Sequence, residues 1–441
     1  MRRSQSFKQF SLRAIAILAF SLISTFALAA PAGAQWKWSG EISKNLATPR
    51  ITGKTTGTRE KIRMTAIKEF PEGTTVALES RNFGLVDSVA YSLPRPKRDS
   101  YVHVKFYRDN GSTAALFSWS GLVRPSGLAL IDYKGQPGYE APPDFEDYWD
   151  RAKKELAAVT QEPDITRQPD KDTTSGLLYR VDLPTVEETT VVAWLFVPRK
   201  AYDSEGTVKA KYPAVVLVPG YGGAMVPIDR TWDGYITLSV NPRSHGASSE
   251  YWKAPVTHLA YRIDEPERYY YRQAMLDCLR GAQFLFDRPE VDPKRVGSEG
   301  GSQGGLFAIS TAALEPRISC VVSNITSWCA FADRQYLAYT GTQRTVNSLL
   351  EKADGTTSEP LLHRSLVMTD AANLATLIKC PVQINMGGID MICPWPTGIV
   401  LYNRLPKGVI KEYNISPEAA HSNSPKMKND ARRWQRRFLK P

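Results

Sequence analysis

The run Gly300-Gly301-Ser302-Gln303-Gly304 is the most chemically specific stretch of the chain. A strand-like segment, Arg295 to Glu299, precedes it, and a small-residue helical pattern, Leu306 to Leu314, follows. In that setting Gly-x-Ser-x-Gly describes a nucleophile elbow. The serine stands on a tight turn, and the glycines let strand and helix backbones approach closely. A serine hydroxyl attacks well only when a base takes its proton and a carboxylate orients that base. On an elbow of this kind the acid and then the histidine follow the serine along the chain. Five histidines occur, His103, His245, His258, His363 and His421, and only the last two come after Ser302. Asp390 ends the run Val382 to Ile389, where a strand tip would present a carboxylate, and after it only His421 remains. His421 follows the strand-like Lys411 to Ile415, in loop sequence. Asp370 is the competing acid, but it falls in a helix-like stretch.

An oxyanion forming on the attacked carbonyl needs backbone donors. One is expected from the amide after the nucleophile, Gln303, and one from the loop after an early strand, Pro219-Gly220-Tyr221-Gly222-Gly223, with Tyr221 as donor. Tyr221, Trp252, Trp328 and Trp395 are candidates to line a sugar-binding pocket, although core packing also uses such rings. His245 is a second candidate functional histidine, or a structural one. No metal-ligand spacing or phosphate-binding loop is evident, so no cofactor is expected.

The elements that must position these residues alternate in type. Val191–Val197, Ala214–Val218, Tyr235–Val240, Arg295–Glu299, Ile318–Ser323 and Val382–Met386 read as strands. Tyr271, Ala274, Cys278, Ala282 and Leu285 recur at three to four residues and mark an amphipathic helix between two of them. This is the pattern of an α/β fold with a mostly parallel central sheet flanked by helices. Residues 327–373 are less regular and read as an insertion over the site.

From Trp36 to about Asp132 the grammar differs: short alternating runs such as Tyr101 to Phe106 are separated by turn clusters such as Asp109-Asn110-Gly111-Ser112. These predict a small all-β, sandwich-like domain over residues 35–135. The Gly- and Pro-bearing stretch Lys134 to Pro143 then leads into a catalytic domain over 136–441.

Ahead of both, Arg2, Arg3, Lys8 and Arg13 precede an uncharged apolar run, Ala14 to Ala30, that ends in small-residue sites. That is the layout of a signal peptide over residues 1–34. It implies export to the periplasm or beyond, with no stable membrane span after cleavage. At 441 residues, 42% hydrophobic and 23% charged, the chain has the composition of a globular protein. Four charges of the net +11 lie in the leader. Between Gln35 and Gly135 there are 16 Lys and Arg against 9 Asp and Glu, and the rest balances, 36 against 36. All the mature excess therefore lies in the N-terminal third. It is compatible with contact to acidic glycans or with lysine-guarded strand edges. Nothing resembles a basic helix or zinc motif for nucleic acid. All five cysteines lie after that third, and no bridge is assigned.

With these residues in hand, the chain resembles the acetyl xylan esterases and cephalosporin C deacetylases of carbohydrate esterase family 7. The likeness runs from about Pro137 to the C-terminus, through Pro143-Asp144-Phe145-Glu146-Asp147-Tyr148-Trp149, Gly220-Tyr221-Gly222-Gly223, Gly301-Ser302-Gln303-Gly304-Gly305 and Asp390-Met391-Ile392-Cys393-Pro394. It implies the α/β-hydrolase fold, an acetylated-carbohydrate substrate, and Ser302, Asp390 and His421 as nucleophile, acid and base. It also implies Tyr221 and Gln303 as oxyanion donors, and the family's ring-shaped hexamers raise homo-oligomerisation. The chain departs from the family at Arg243-Ser244-His245-Gly246, where arginine-glycine-glutamine-glycine is usual, and at His421-Ser422, where histidine-glutamate is usual. Two other readings stand beside a carbohydrate deacetylase. One is a different α/β hydrolase, such as a peptidase or lipase-like esterase; the other is a glycan-binding surface protein with the hydrolase part as scaffold.

Overall fold

The computed structural model describes residues 50–54, 59–69, 75–93, 100–111, 115–123, 138–160, 162–331, 358–387, 390, 392–416 and 419–441. The leader, the expected domain boundary at residues 135–136 and residues 332–357 of the expected insertion lie outside these residues. The first part is all β: β1 (Arg50–Lys54), β2 (Glu60–Glu69), β3 (Thr75–Val86), β4 (Ser88–Ser92), β5 (Ser100–Arg108) and β6 (Ala115–Val123). They form an antiparallel four-stranded sheet, β3-β2-β5-β6, and a two-stranded pair, β1-β4. Ile62, Met64 and Ala66 of β2 and Val102, Val104 and Phe106 of β5 are buried, while Lys61, Arg63 and Thr65 between them are not. That two-residue alternation is what a sheet with one face on a core requires.

After it, α1 (Phe145–Ala157) buries Phe145, Tyr148, Trp149, Ala152 and Leu156, one helical stripe. The Tyr148 hydroxyl donates to the Pro266 carbonyl at 2.6 Å and the Trp149 indole to Met368 at 3.2 Å, which ties α1 to the body. The body is a nine-stranded sheet built from β7 (Asp164–Arg167), β8 (Gly176–Thr185), β9 (Thr189–Pro198), β10 (Tyr212–Val218), β11 (Ile236–Asn241), β12 (Val291–Gly301), β13 (Cys320–Asn324), β14 (Val382–Gly387) and β15 (Lys411–Ser416). Its order is β15-β14-β13-β12-β10-β11-β9-β8-β7. The strands from β10 to β15 pair in parallel, and β7 to β9 form an antiparallel margin.

Helices α2 (Tyr270–Phe286), α3 (Gln303–Leu314), α4 (Ser358–Thr369), α5 (Ala371–Leu374), α6 (Trp395–Arg404) and α7 (Pro425–Leu439) complete the described body. Ala214, Val216 and Val218 of β10 join the core that holds α2 and α3, whereas Val215 and Leu217 join the one under α7 with Trp434 and Leu439. A strand apolar on both faces is what helices on both sides demand. The five cysteines are all buried free thiols. Among the described residues no helix is long and apolar enough to cross a membrane.

Candidate active site

Ser302 sits between the last residue of β12 and the first of α3, at φ 60° and ψ −120°. An L-residue in that region costs of order 1–3 kcal/mol, so its surroundings must hold it there. Its amide donates to Asn324 O at 2.9 Å, and its carbonyl accepts from Gly305 N at 2.9 Å and Ser327 N at 3.0 Å. The adjoining glycines are needed for space. A Cβ at Gly300 would lie 2.2 Å from Gly304 O, and one at Gly304 would lie 2.5 Å from Val218 O.

Asp390 follows the tip of β14 and His421 follows β15, so the sheet order brings both beside the elbow at the same edge. His421 Nε2 is 3.0 Å from Ser302 Oγ and its Nδ1 is 2.9 Å from Asp390 Oδ2. The other carboxylate oxygen accepts from Ile392 N at 2.8 Å and Cys393 N at 2.9 Å, which fixes the plane of the acid. The Asp390 side chain is fully buried and that of His421 is 25% exposed, enough for a substrate to reach it. Burial pulls the His421 pKa down, but hydrogen bonding to Asp390 and to Cys393 outweighs this and raises it above its ordinary value. Asp390, Cys393 and His421 also form a group able to hold a metal ion, with ligand atoms within 4.8 Å of one another. The Asp390 oxygens and both His421 nitrogens are already engaged in the hydrogen bonds just described.

Asp370, the competing acid, lies elsewhere. It caps α5 through Ala372 N and accepts from Ala330 N and Phe331 N, both at 2.9 Å. That carboxylate fastens a loop in which Ile325, Trp328 and Ala330 all have positive φ.

The loop after β10 lies against the elbow: a Cβ at Gly220 would be 3.5 Å from Gly301 O and 3.9 Å from Ser302 Cβ. Gly223 N donates to Gly220 O at 3.0 Å, and Gly222 takes φ +65° to close this turn around Tyr221. The Tyr221 ring stacks on Trp328 with centroids 6.3 Å apart and meets His258 edge-on at 5.2 Å. Gln303 starts α3, where an amide has no intrahelical acceptor and is free for a ligand. Of the four aromatic candidates, Tyr221 and Trp328 flank the site. Trp395 is buried at the start of α6, and Trp252 packs on Tyr261 and Tyr270.

The structure also holds residues that the sequence did not single out. Asp277, fully buried on α2, receives the Arg243 guanidinium at 2.9 Å and the Arg243 amide at 2.8 Å. The signal that could have revealed it is weak: Asp277 shares the polar stripe of an amphipathic helix with Gln273 and Arg280, and the structure buries that stripe. His258 had no such signal, because the turn that folds it back onto Tyr221 is not written in a periodic pattern.

An elbow serine at the C-terminal edge of a mostly parallel sheet, with a carboxylate and a histidine delivered by later strands, defines an α/β hydrolase. Residues 128–438 match the family described as acetyl xylan esterase (AXE1), and the chain belongs to that family. It is a carboxylic ester hydrolase of a family that acts on acetylated carbohydrates. A curated relative, acetyl esterase Axe7A of Xylanibacter ruminicola, is 26% identical over 329 residues, which span 69% of each chain. Acetyl xylan esterase 1 from Thermoanaerobacterium sp. shares the fold with TM-score 0.62 at 22% identity, covering 69% of this chain and 96% of that one. Acetyl xylan esterase from Paenibacillus sp. R4 does so with TM-score 0.61 at 24% identity, covering 70% and 98%.

Proposed function

We propose that this protein is an exported serine esterase that removes acetyl groups from acetylated xylan or xylo-oligosaccharides, with Ser302, His421 and Asp390 as its triad. The observation that carries this reading is the continuous hydrogen-bonded line from Ser302 Oγ through His421 to Asp390, at 3.0 and 2.9 Å. Ser302 attacks the acetyl carbonyl while His421 Nε2 takes its proton. The oxyanion rests on the amides of Tyr221 and Gln303, and His421 then hands the proton to the departing sugar hydroxyl. Water, deprotonated by His421, attacks the acetyl-enzyme and releases acetate and free Ser302. Asp390 keeps the Nδ1 proton in place and stabilises the imidazolium; it takes no proton itself.

Residues 1–34 act as the leader in this reading, 35–135 as a separate β domain and 136–441 as the catalytic domain. The positive excess of the β domain supports contact with acidic glycan near the substrate. Acetate release from acetylated xylo-oligosaccharides of increasing length, with butyryl and octanoyl esters alongside, tests the function. Release confined to acetyl esters and abolished in Ser302→Ala is expected. Undiminished release by Ser302→Ala would refute the nucleophile, and preference for octanoyl esters would favour a lipase-like enzyme.

A further inference from the structure

Behind the oxyanion side of the site lies a pair of buried histidines that the proposed reaction does not use. His245 is 1% exposed and His258 8%, with ring centroids 4.8 Å apart. Each leans on a different one of the two oxyanion residues. His245 Nε2 is 3.3 Å from Nε2 of Gln303, whose fully buried side chain has no other hydrogen bond among the described residues. The His258 ring meets the Tyr221 ring at 5.2 Å, and Trp328 stacks on the same Tyr221 ring at 6.3 Å. Tyr270 joins the two histidines: its ring stacks on His258 at 4.2 Å, and its hydroxyl lies 3.1 Å from His245 Nδ1 while donating to Arg243 O at 2.9 Å. Ser244, at φ 65°, completes the unit by placing its Oγ 3.1 Å from His258 Nε2.

We propose that His245 and His258 are positioning residues that set the two oxyanion amides against each other, His245 through the Gln303 side chain and His258 through the Tyr221 ring. The proposal rests on the oxyanion assignment given above. Its chemistry requires both rings neutral. With its proton on Nδ1, donated to Arg243 O at 3.2 Å, His245 offers Nε2 as the acceptor that the Gln303 amide needs. A proton added at Nε2 would set one donor against another. The protein favours the neutral forms: burial pushes His245 down to about 4 against the pull of the Arg243 carbonyl and Asp277, and burial with the neighbouring His245 pushes His258 down to about 3. The charged and titratable groups around the pair are Arg243, Asp277, Tyr270 and Tyr221, and the Arg243 guanidinium is already committed to Asp277 and Glu187. At the matching position the family pattern carries glutamine, which offers an acceptor without titrating.

The test uses the full chain with four substitutions, assayed on 4-nitrophenyl acetate. His245→Leu removes the acceptor and His258→Ala the ring, whereas His245→Gln and His258→Phe restore acceptor and ring without a titrating group. A misplacement of about 1 Å at such a site costs roughly a hundredfold, so kcat in the first two is expected to fall about ten- to a hundredfold with KM nearly unchanged. Inhibition by a boronic acid, whose tetrahedral adduct needs the same donors, should weaken in parallel. The Gln and Phe variants should regain most of kcat. Because the folded-state pKa values lie below about 6.5, the unfolded chain binds more protons as pH falls, and wild-type melting temperature should drop between about pH 6.5 and 4. A chain carrying both His245→Gln and His258→Phe should show a shallower drop, a readout available even if the Leu or Ala variant fails to fold. Wild-type kcat in folded His245→Leu and His258→Ala, or equal pH slopes in the double variant and wild type, would overturn the proposal. Activity retained in Ser302→Ala would instead remove the reading beneath it.

Discussion

Replacing Asp390 by asparagine changes one atom and tests the proposed acid directly. The Oδ1 oxygen of the new side chain can keep the bonds from Ile392 N and Cys393 N, at 2.8 and 2.9 Å, so the loop should stay folded. Its NH2 group then occupies the place of Oδ2, 2.9 Å from His421 Nδ1, and presents a donor where an acceptor stood. His421 answers by moving its proton to Nε2, the nitrogen 3.0 Å from Ser302 Oγ, and can no longer accept the serine proton. Loss of the correct tautomer in this way costs about 10⁴ in kcat, or about 5.5 kcal/mol of barrier. The pH profile adds a second readout. In the wild type, Asp390 and Cys393 hold the His421 pKa above its ordinary value against burial, so the acid limb of kcat/KM should lie above about 6.5. Without the carboxylate, the residual activity should have its limb displaced toward acid. The assay is kcat and kcat/KM on 4-nitrophenyl acetate from pH 5 to 9, with a melting curve at each pH. A loss under about tenfold, or an unmoved acid limb in a folded variant, would refute the reasoning.

Asp370→Asn should behave differently from Asp390→Asn. Its remaining oxygen can keep the bonds from Ala372 N and Ala330 N, but its NH2 faces Phe331 N donor to donor, so about 1–3 kcal/mol of stability is expected to go, measured by urea unfolding, with a smaller loss of kcat. Gly304→Ala forces a methyl to 2.5 Å from Val218 O and 3.0 Å from Pro219 O, both backbone atoms. It should lower the melting temperature by the equivalent of about 1–3 kcal/mol and reduce kcat more than it raises KM. Asp277→Ala leaves the buried Arg243 guanidinium without its main partner, so about 3–5 kcal/mol of destabilisation is expected by denaturant titration.

Sequence carries the catalytic end of the fold well because most of its parallel strands are buried, with the edge strand β15 half-buried. Ala214–Val218 reads as a continuous apolar run and Val382–Met386 as an apolar alternation broken by Gln383 and Asn385, and the structure extends each by one or two residues. Of the antiparallel margin, the sequence reveals β9 through Val191–Val197 but not β7 or β8. β8 alternates buried and half-buried positions with Arg180 and Asp182 paired on its outer face, so its apolar signal is halved. β7 is four residues long with none buried. Helix α1 enters the sequence reading only as part of the family likeness, although Phe145, Tyr148, Trp149, Ala152 and Leu156 recur at helical spacing. Chain order and strand tips pointed to Ser302, Asp390 and His421. The supporting contacts of His258, Asp277 and Trp328 depend on turns and on distances between remote segments, which no local pattern encodes.

The arrangement of the sheet also has a kinetic consequence. Ser302 and His421 are 119 positions apart, and they meet only after β13, β14 and β15 have added in parallel beside β12. Each of those pairings closes a long loop before it gains contacts, which makes it slow compared with the hairpin contacts of the N-terminal strands. Recovery of esterase activity during refolding should therefore trail the return of secondary structure. A chain with most of its strands formed would still be inert until the final edge strand docks.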